Sequence, residues 1–484
     1  MHKLKLYLFT AIIIVGAGCQ KLDEVPQSTL SPANFYANKG QVEAAYAASM
    51  EALYPRWGGY SYPAMGFFQH DDQFGGYGTE KGGDLNIPFN YGTELWNRHY
   101  QALLNVNAAL KAIKGGSVLG ASEAEIDELV GMGKFLRGFN YFMLVRMFGG
   151  VPLYLEDDEP VANPKARASV AEVYASIVSD LTDAGSKLST SYAGRPGVPT
   201  SGAAKGLLAK VYLTMATAPL NDASNYAKAA ETAKQVMESG AYSLIPNVID
   251  VFALSNKYAS EKLWSFNAST DDPSTEAQIF GPSVPPYAGW MDLGVQPEFA
   301  ENFKPLARKE AYIMTEVKQT DGTVVPYTEW GVGRPAIRKY LYMSLDEYNG
   351  YINNSNQPII RYADVLLIFA EAENMSKGGP TPEAVDAVNK IIDRANNHVV
   401  NSAYPLLTAA MSKEAFDAAV IQERSFELCF EVGDRWFDIC RKRLLPQTTN
   451  FPQNFSEDDY LYPIPEADLR LNKLLVQNPG YPSP

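Results

Sequence analysis

The sequence predicts a mostly α-helical protein: a tetratricopeptide-repeat-like scaffold with long irregular aromatic loops and a small β-hairpin. Three observations predict it. Ten segments place apolar residues at helical spacing. Two pairs of successive helices carry small residues where they would face each other, which lets antiparallel helices approach closely. Three stretches rich in Gly, Pro and aromatic rings interrupt the helical pattern.

Taken in order, the helices are expected over Gln41 to Leu53, Leu95 to Ile113, Ala121 to Met147, Val170 to Leu188, Ser201 to Ala216 and Tyr226 to Ser239. A second series covers Arg361 to Met375, Pro382 to Ala395, Lys413 to Phe430 and Asp434 to Arg443. Ser122 ahead of Glu123 and Glu125, and Thr381-Pro382-Glu383, are helix starts with acids that complement the helix dipole. The paired units are Leu207 to Met215 with Ala229, Ala230 and Ala233, and Leu366 to Glu373 with Ala384, Ala387 and Ile391. Between Tyr54 and Tyr100 lie twelve aromatic residues and nine glycines, too many for a regular element over most of that length. The other irregular stretches are Tyr242 to Glu301 and Asn302 to Tyr342; the latter holds Thr323-Val-Val-Pro-Tyr327, the expected hairpin. Long aromatic loops inside a compact body are the place to look for binding.

At the N-terminus, a basic Met1 to Lys5 precedes a twelve-residue apolar run and Gly16-Ala17-Gly18. This pattern reads as an export signal over 1–18, and the run is too short to span a bilayer. Cys19 follows the small residues and resembles the lipidated cysteine of a bacterial lipobox, with Gly16 where Leu or Val is usual. The body keeps only Cys429 and Cys440, expected as free thiols. The chain carries 41 Lys and Arg against 55 Asp and Glu, a net charge of -14. That balance argues against nucleic acid and favours a neutral ligand.

Several segments carry a family resemblance: Phe135-Leu-Arg-Gly-Phe-Asn-Tyr-Phe-Met-Leu-Val-Arg-Met-Phe-Gly-Gly-Val-Pro-Leu153, Ala204-Lys-Gly-Leu-Leu-Ala-Lys-Val-Tyr-Leu213, Ile360-Arg-Tyr-Ala-Asp-Val-Leu-Leu-Ile368, Gly433-Asp-Arg-Trp-Phe-Asp438, Tyr462-Pro-Ile-Pro-Glu466 and Gln477-Asn-Pro-Gly-Tyr481. With these in order, the chain from Cys19 onward resembles the SusD/RagB family of Bacteroidetes outer-membrane lipoproteins. The resemblance implies a helical-repeat scaffold and a nutrient-binding protein over a SusC-like TonB-dependent transporter. Oligosaccharides are the usual cargo and peptides the alternative. It also implies an outer-membrane location through a lipid on Cys19, facing the cell exterior. The chain then divides into a signal peptide (1–18), a tether (19–34), an N-terminal helical region (35–241) and a C-terminal region (242–484), the last two packed as one body.

Glycan capture needs aromatic rings for the apolar face of a sugar and polar groups for its hydroxyls. The candidates are Asp72, Tyr77, Trp96, Asn97, Tyr287, Trp290 and Trp330, with Trp290 and Trp330 foremost because they lie in irregular segments outside the family motifs. Trp96 opens a helix, so packing competes with stacking there. Glu423 and Glu427, one turn apart, have the spacing of a carboxylate pair. The arginines interleaved around them favour a salt-bridge network over glycoside hydrolysis. No enzymatic chemistry, cofactor or metal is expected; Asp71-Asp72 lacks the ligand spacing of a calcium site.

Overall fold

The computed structural model describes residues 35–51, 53, 74–76, 89–447 and 456–483. The expected signal peptide (1–18), the expected tether (19–34) with Cys19, and the candidates Asp72 and Tyr77 lie outside them. The first helices are α1 (Lys39–Glu51), α2 (Phe89–Lys114), α3 (Glu123–Phe148), α4 (Val170–Lys187), α5 (Ser201–Met215) and α6 (Asn225–Glu238). After a long excursion come α7 (Glu276–Phe280), α8 (Pro297–Asn302), α9 (Leu306–Tyr312), α10 (Leu345–Asn349), α11 (Tyr362–Lys377), α12 (Pro382–Ala395), α13 (Lys413–Glu427), α14 (Asp434–Lys442) and α15 (Glu466–Leu471).

All ten expected helices form, with ends displaced by a few residues. Ser122 makes a full capping box with Glu125, and the Thr381 side chain accepts from the Ala384 amide. Each of α1 to α6 packs on the next along the chain, and α11 packs on α6. The stack therefore continues across the excursion, with α12 and α13 covering α11. Small residues set the spacing: a Cβ at Gly138 of α3 would lie 3.0 Å from the Leu181 side chain of α4.

Strands are short and antiparallel. Phe74–Gly76 (β1) pairs with Leu293–Val295 (β3), and Lys262–Phe266 (β2) pairs with Gln357–Arg361 (β8). Ile313–Met314 (β4) pairs with Ala336–Ile337 (β7). Glu316–Lys318 (β5) pairs with Val324–Pro326 (β6), the expected hairpin.

The polar residues of the family motifs are structural. Glu423 and Glu427 are both almost wholly buried, and Arg308 bonds to the two of them. Around them Glu261, Glu423, Glu427 and Glu431 meet Arg308, Lys339, Arg361 and Arg394. A second cluster ties Asp364, Glu371 and Asp438 to Arg424 and Arg441. Locked in this way, Glu423 and Glu427 cannot reach a sugar. Both Cys429 and Cys440 are free thiols.

Candidate ligand-binding site

The excursion between α6 and α11 builds the site. A turn through Pro285-Pro286 carries Tyr287 and Trp290 out of α7, and α10 brings up Tyr348, Asn349 and Tyr351. The Asn349 side chain holds the two together, donating to the Pro286 carbonyl (2.9 Å) and accepting from the Ala288 amide (3.0 Å). Trp290 and Tyr351 then lie side by side, ring centroids 5.9 Å apart and planes 40° apart, and the indole N–H donates to the Tyr351 hydroxyl (3.3 Å). Tyr351 is 47% exposed and Trp290 half-buried. Tyr287 stands edge-on to Tyr348 at 5.3 Å.

The backbone beneath the rings is constrained. Tyr351 and Met291 have φ of 60° and 53°, a region costly for residues with a Cβ. Amide bonds from Tyr351 to the Tyr348 carbonyl (3.1 Å) and from Ile352 to the Glu347 carbonyl (2.8 Å) hold the Tyr351 turn. Unusual conformations of this kind concentrate at functional sites. Gly289 has no room for a side chain, because a Cβ would collide with the Tyr348 hydroxyl and the Gly281 carbonyl. Gly289→Val is therefore expected to lose about 1–3 kcal/mol in thermal unfolding and to displace Trp290, read as a changed tryptophan emission.

Asp292 supplies the polar group. It is half-buried, has no hydrogen-bond partner among the described residues, and burial pushes its carboxyl above the usual carboxylate range. Such a group accepts readily from the vicinal hydroxyls of a sugar.

The other candidates separate. Trp96 is 3% exposed, with its ring edge-on to Phe148 at 5.0 Å and tilted against the half-buried Tyr100 at 4.8 Å. Stacking is corrected to packing there, because Leu95 and Trp96 are buried where α2 packs against α3. Asn97 is exposed on α2. Trp330 is also 3% exposed; it fills a small core with Met291, Met314 and Val317, and its N–H donates to the Val325 carbonyl (3.1 Å). It supports the floor under Tyr287 and is not itself a platform ring. Sequence reasoning missed Tyr351 and Asn349. Tyr348-Asn-Gly-Tyr351, two tyrosines around an Asn-Gly turn, was the signal available.

Comparison with known proteins places the scaffold. The SusD family profile matches residues 317–481, and a second profile, described as starch-binding associating with outer membrane, matches 79–213. A SusD-like protein P2 from Formosa agariphila is 28% identical over 99% of this chain and 100% of its own length. The chain is SusD-like. A SusD superfamily protein from Parabacteroides distasonis superposes with a TM-score of 0.79 at 24% identity, over 92% of this chain and 99% of that one. A laminarin-binding SusD-like protein does so with a TM-score of 0.74 at 23% identity, over 92% and 100%. These likenesses establish the fold. Within this SusD-like scaffold, the Trp290–Tyr351 platform is carried by the excursion between α6 and α11, not by the repeat helices.

Proposed function

We propose that this protein is a non-catalytic surface lipoprotein that captures an oligosaccharide and delivers it to a SusC-like TonB-dependent transporter of the outer membrane. The observation that carries the reading is the pair of rings, Trp290 and Tyr351, set side by side at 5.9 Å, with Asp292 two positions along the chain from Trp290 and without a hydrogen-bond partner among the described residues. A pyranose covers such rings with its C–H face while the carboxylate accepts from its hydroxyls. The platform is open on one side, so modest affinity suits it. Tyr287 belongs to the same surface, and Asp72 and Tyr77 flank β1 in sequence, the strand that pairs beside Asp292. Glycan binding by the laminarin-binding relative supports the cargo class. No described helix is long and apolar enough to cross a membrane, which fits attachment through lipid on Cys19 and exposure at the cell exterior.

Titration against neutral oligosaccharides and a peptide mixture tests the reading. Trp290→Ala and Tyr351→Ala are each expected to weaken oligosaccharide binding by about tenfold or more, with thermal unfolding nearly unchanged. Binding of peptides alone would replace the sugar reading with the peptide one. Release of reducing ends would make the protein an enzyme. Co-purification with a large outer-membrane barrel tests the partner.

A further inference from the structure

A second recess, lined by none of the platform residues, lies where a strap, Arg195 to Val198, meets β2. The strap separates a cleft of about 320 Å³ from one of about 450 Å³, and both are bordered by Trp264 and Ser265. Each volume lies in the range of small-molecule sites. Their chemistry is opposite. Glu43, Glu51 and Asp272 line the smaller cleft, whereas no acidic residue lines the larger one. Its walls are hydroxyl-rich, with Thr190, Ser191, Ser260 and Ser265.

Two observations in the larger cleft point to a ligand. Ser265, on β2 between the two clefts, is 5% exposed, and its buried hydroxyl has no hydrogen-bond partner among the described residues. A buried hydroxyl left in that state costs on the order of 1–3 kcal/mol. The Lys257 ammonium, in turn, bonds only to neutral oxygens: the Ala268 carbonyl (3.1 Å), the Asn354 carbonyl (3.4 Å) and the Asn354 side chain (2.6 Å). No carboxylate offsets its charge among the described residues, and burial pulls its pKa down. Of the other cations on the cleft, the Arg195 guanidinium is already taken by Glu43 and Glu128, and the Lys262 amine is enclosed beside the Phe252 ring. Tyr258 stands over this corner with its ring 44% exposed, 5.2 Å from the Lys257 nitrogen.

We propose that the larger cleft is a second saccharide site, taking one carboxylate-bearing sugar unit of an oligosaccharide. The carboxylate offsets Lys257, the ring covers Tyr258, and the sugar hydroxyls satisfy Ser265 and its neighbours. With the Lys262 amine enclosed beside the Phe252 ring, the one uncompensated ammonium that remains, Lys257, suits a single acidic unit and not a polyanion, which the acidic surface repels.

The test is calorimetric titration of the protein with trigalacturonate, and with maltotriose in parallel. Trigalacturonate binding is expected to weaken with added salt, and to fall by about tenfold or more in Lys257→Met and in Tyr258→Ala. Tyr258→Ala removes an exposed ring, so it reports on the site even if Lys257→Met unfolds the protein. Absence of trigalacturonate binding would overturn the proposal. So would maltotriose binding with equal sensitivity to the two variants, or acetate competing as well as the sugar acid, which would make the cleft a simple anion site. Loss of binding in Trp290→Ala with Lys257→Met unaffected would put the acid on the platform instead.

Discussion

Glu427→Ala is expected to destabilise the protein by about 3–5 kcal/mol, because it leaves buried arginines without their anion. The carboxylate accepts from Arg394 (2.8 Å), Arg361 (3.1 Å), the Tyr312 hydroxyl (3.1 Å) and Arg308 (3.2 Å), and all five side chains are almost completely buried. Glu427→Gln keeps the shape and removes the charge, so it separates the two contributions; it is expected to lose most of the same stability. Denaturant unfolding measures both. An unchanged midpoint for Glu427→Gln would show that packing, not charge, holds this centre. The same groups set the acid limit. The surrounding cations hold Glu427 and Asp438 well below the usual carboxylate range, against the opposing effect of burial, and Glu371 at about 2. Folded-state values below the unfolded ones mean stability is fully present above about pH 4.5 and is lost as pH falls through the folded values. Acid unfolding is therefore expected between about pH 4.5 and 2, with Glu427→Gln showing a shallower decline.

Lys262→Met is expected to do the reverse and stabilise the protein at neutral pH. The Lys262 amine is enclosed without a hydrogen-bond partner, 4.3 Å from the centre of the Phe252 ring. The Lys339 nitrogen and the Arg361 guanidinium also face that ring, at 4.8 and 5.4 Å. Burial first, and Arg361 second, push the lysine down to about 7. The four glutamates of this cluster already have four cations, so a protonated Lys262 is a fifth. Below pH 7 the amine is protonated in both folded and unfolded chains, and the folded state bears the whole cost. Between pH 7 and 10 the folded lysine gives up its proton while the unfolded one keeps it, so stability rises with pH. At about 1.4 kcal/mol per unit, with discount for local relaxation, the rise is on the order of 3 kcal/mol. Unfolding midpoints measured from pH 6.5 to 9 should climb in the parent and stay nearly level in Lys262→Met. Parallel profiles would show that the lysine is not the titrating group.

The helices were legible because each carries its own local signal. Ser122 with Glu125 and Thr381 with Pro382 specify helix starts from residues a few positions apart, and the apolar spacing of Phe135, Phe139 and Phe142 declares a buried face on one helix. The salt-bridge reading of Glu423 and Glu427 was also legible, since arginines are interleaved with them. The platform was only half legible. Trp290 and Tyr287 stood out by composition, but Trp330 looked equivalent to Trp290 from sequence. Both follow loop residues and both neighbour aromatic and acidic side chains; the difference is whether β5 and β6 fold over the ring, a matter of contacts several residues away.

What the sequence determined by itself is the order, length and type of the helices, their repeat-like pairing, and the acidic charge that disfavours nucleic acid. These depend on periodicity, capping and composition, which act over a turn or two of chain. Only the tertiary structure decided that α11 would join α6 across the excursion. It alone set Tyr351 beside Trp290 from 61 positions away. It also decided which cations would find an acid and which, like Lys257 and Lys262, find none among the described residues. Those outcomes depend on burial and on partners brought together by packing, and an indole or an ammonium has the same local sequence signature whether it ends in the core or at the surface.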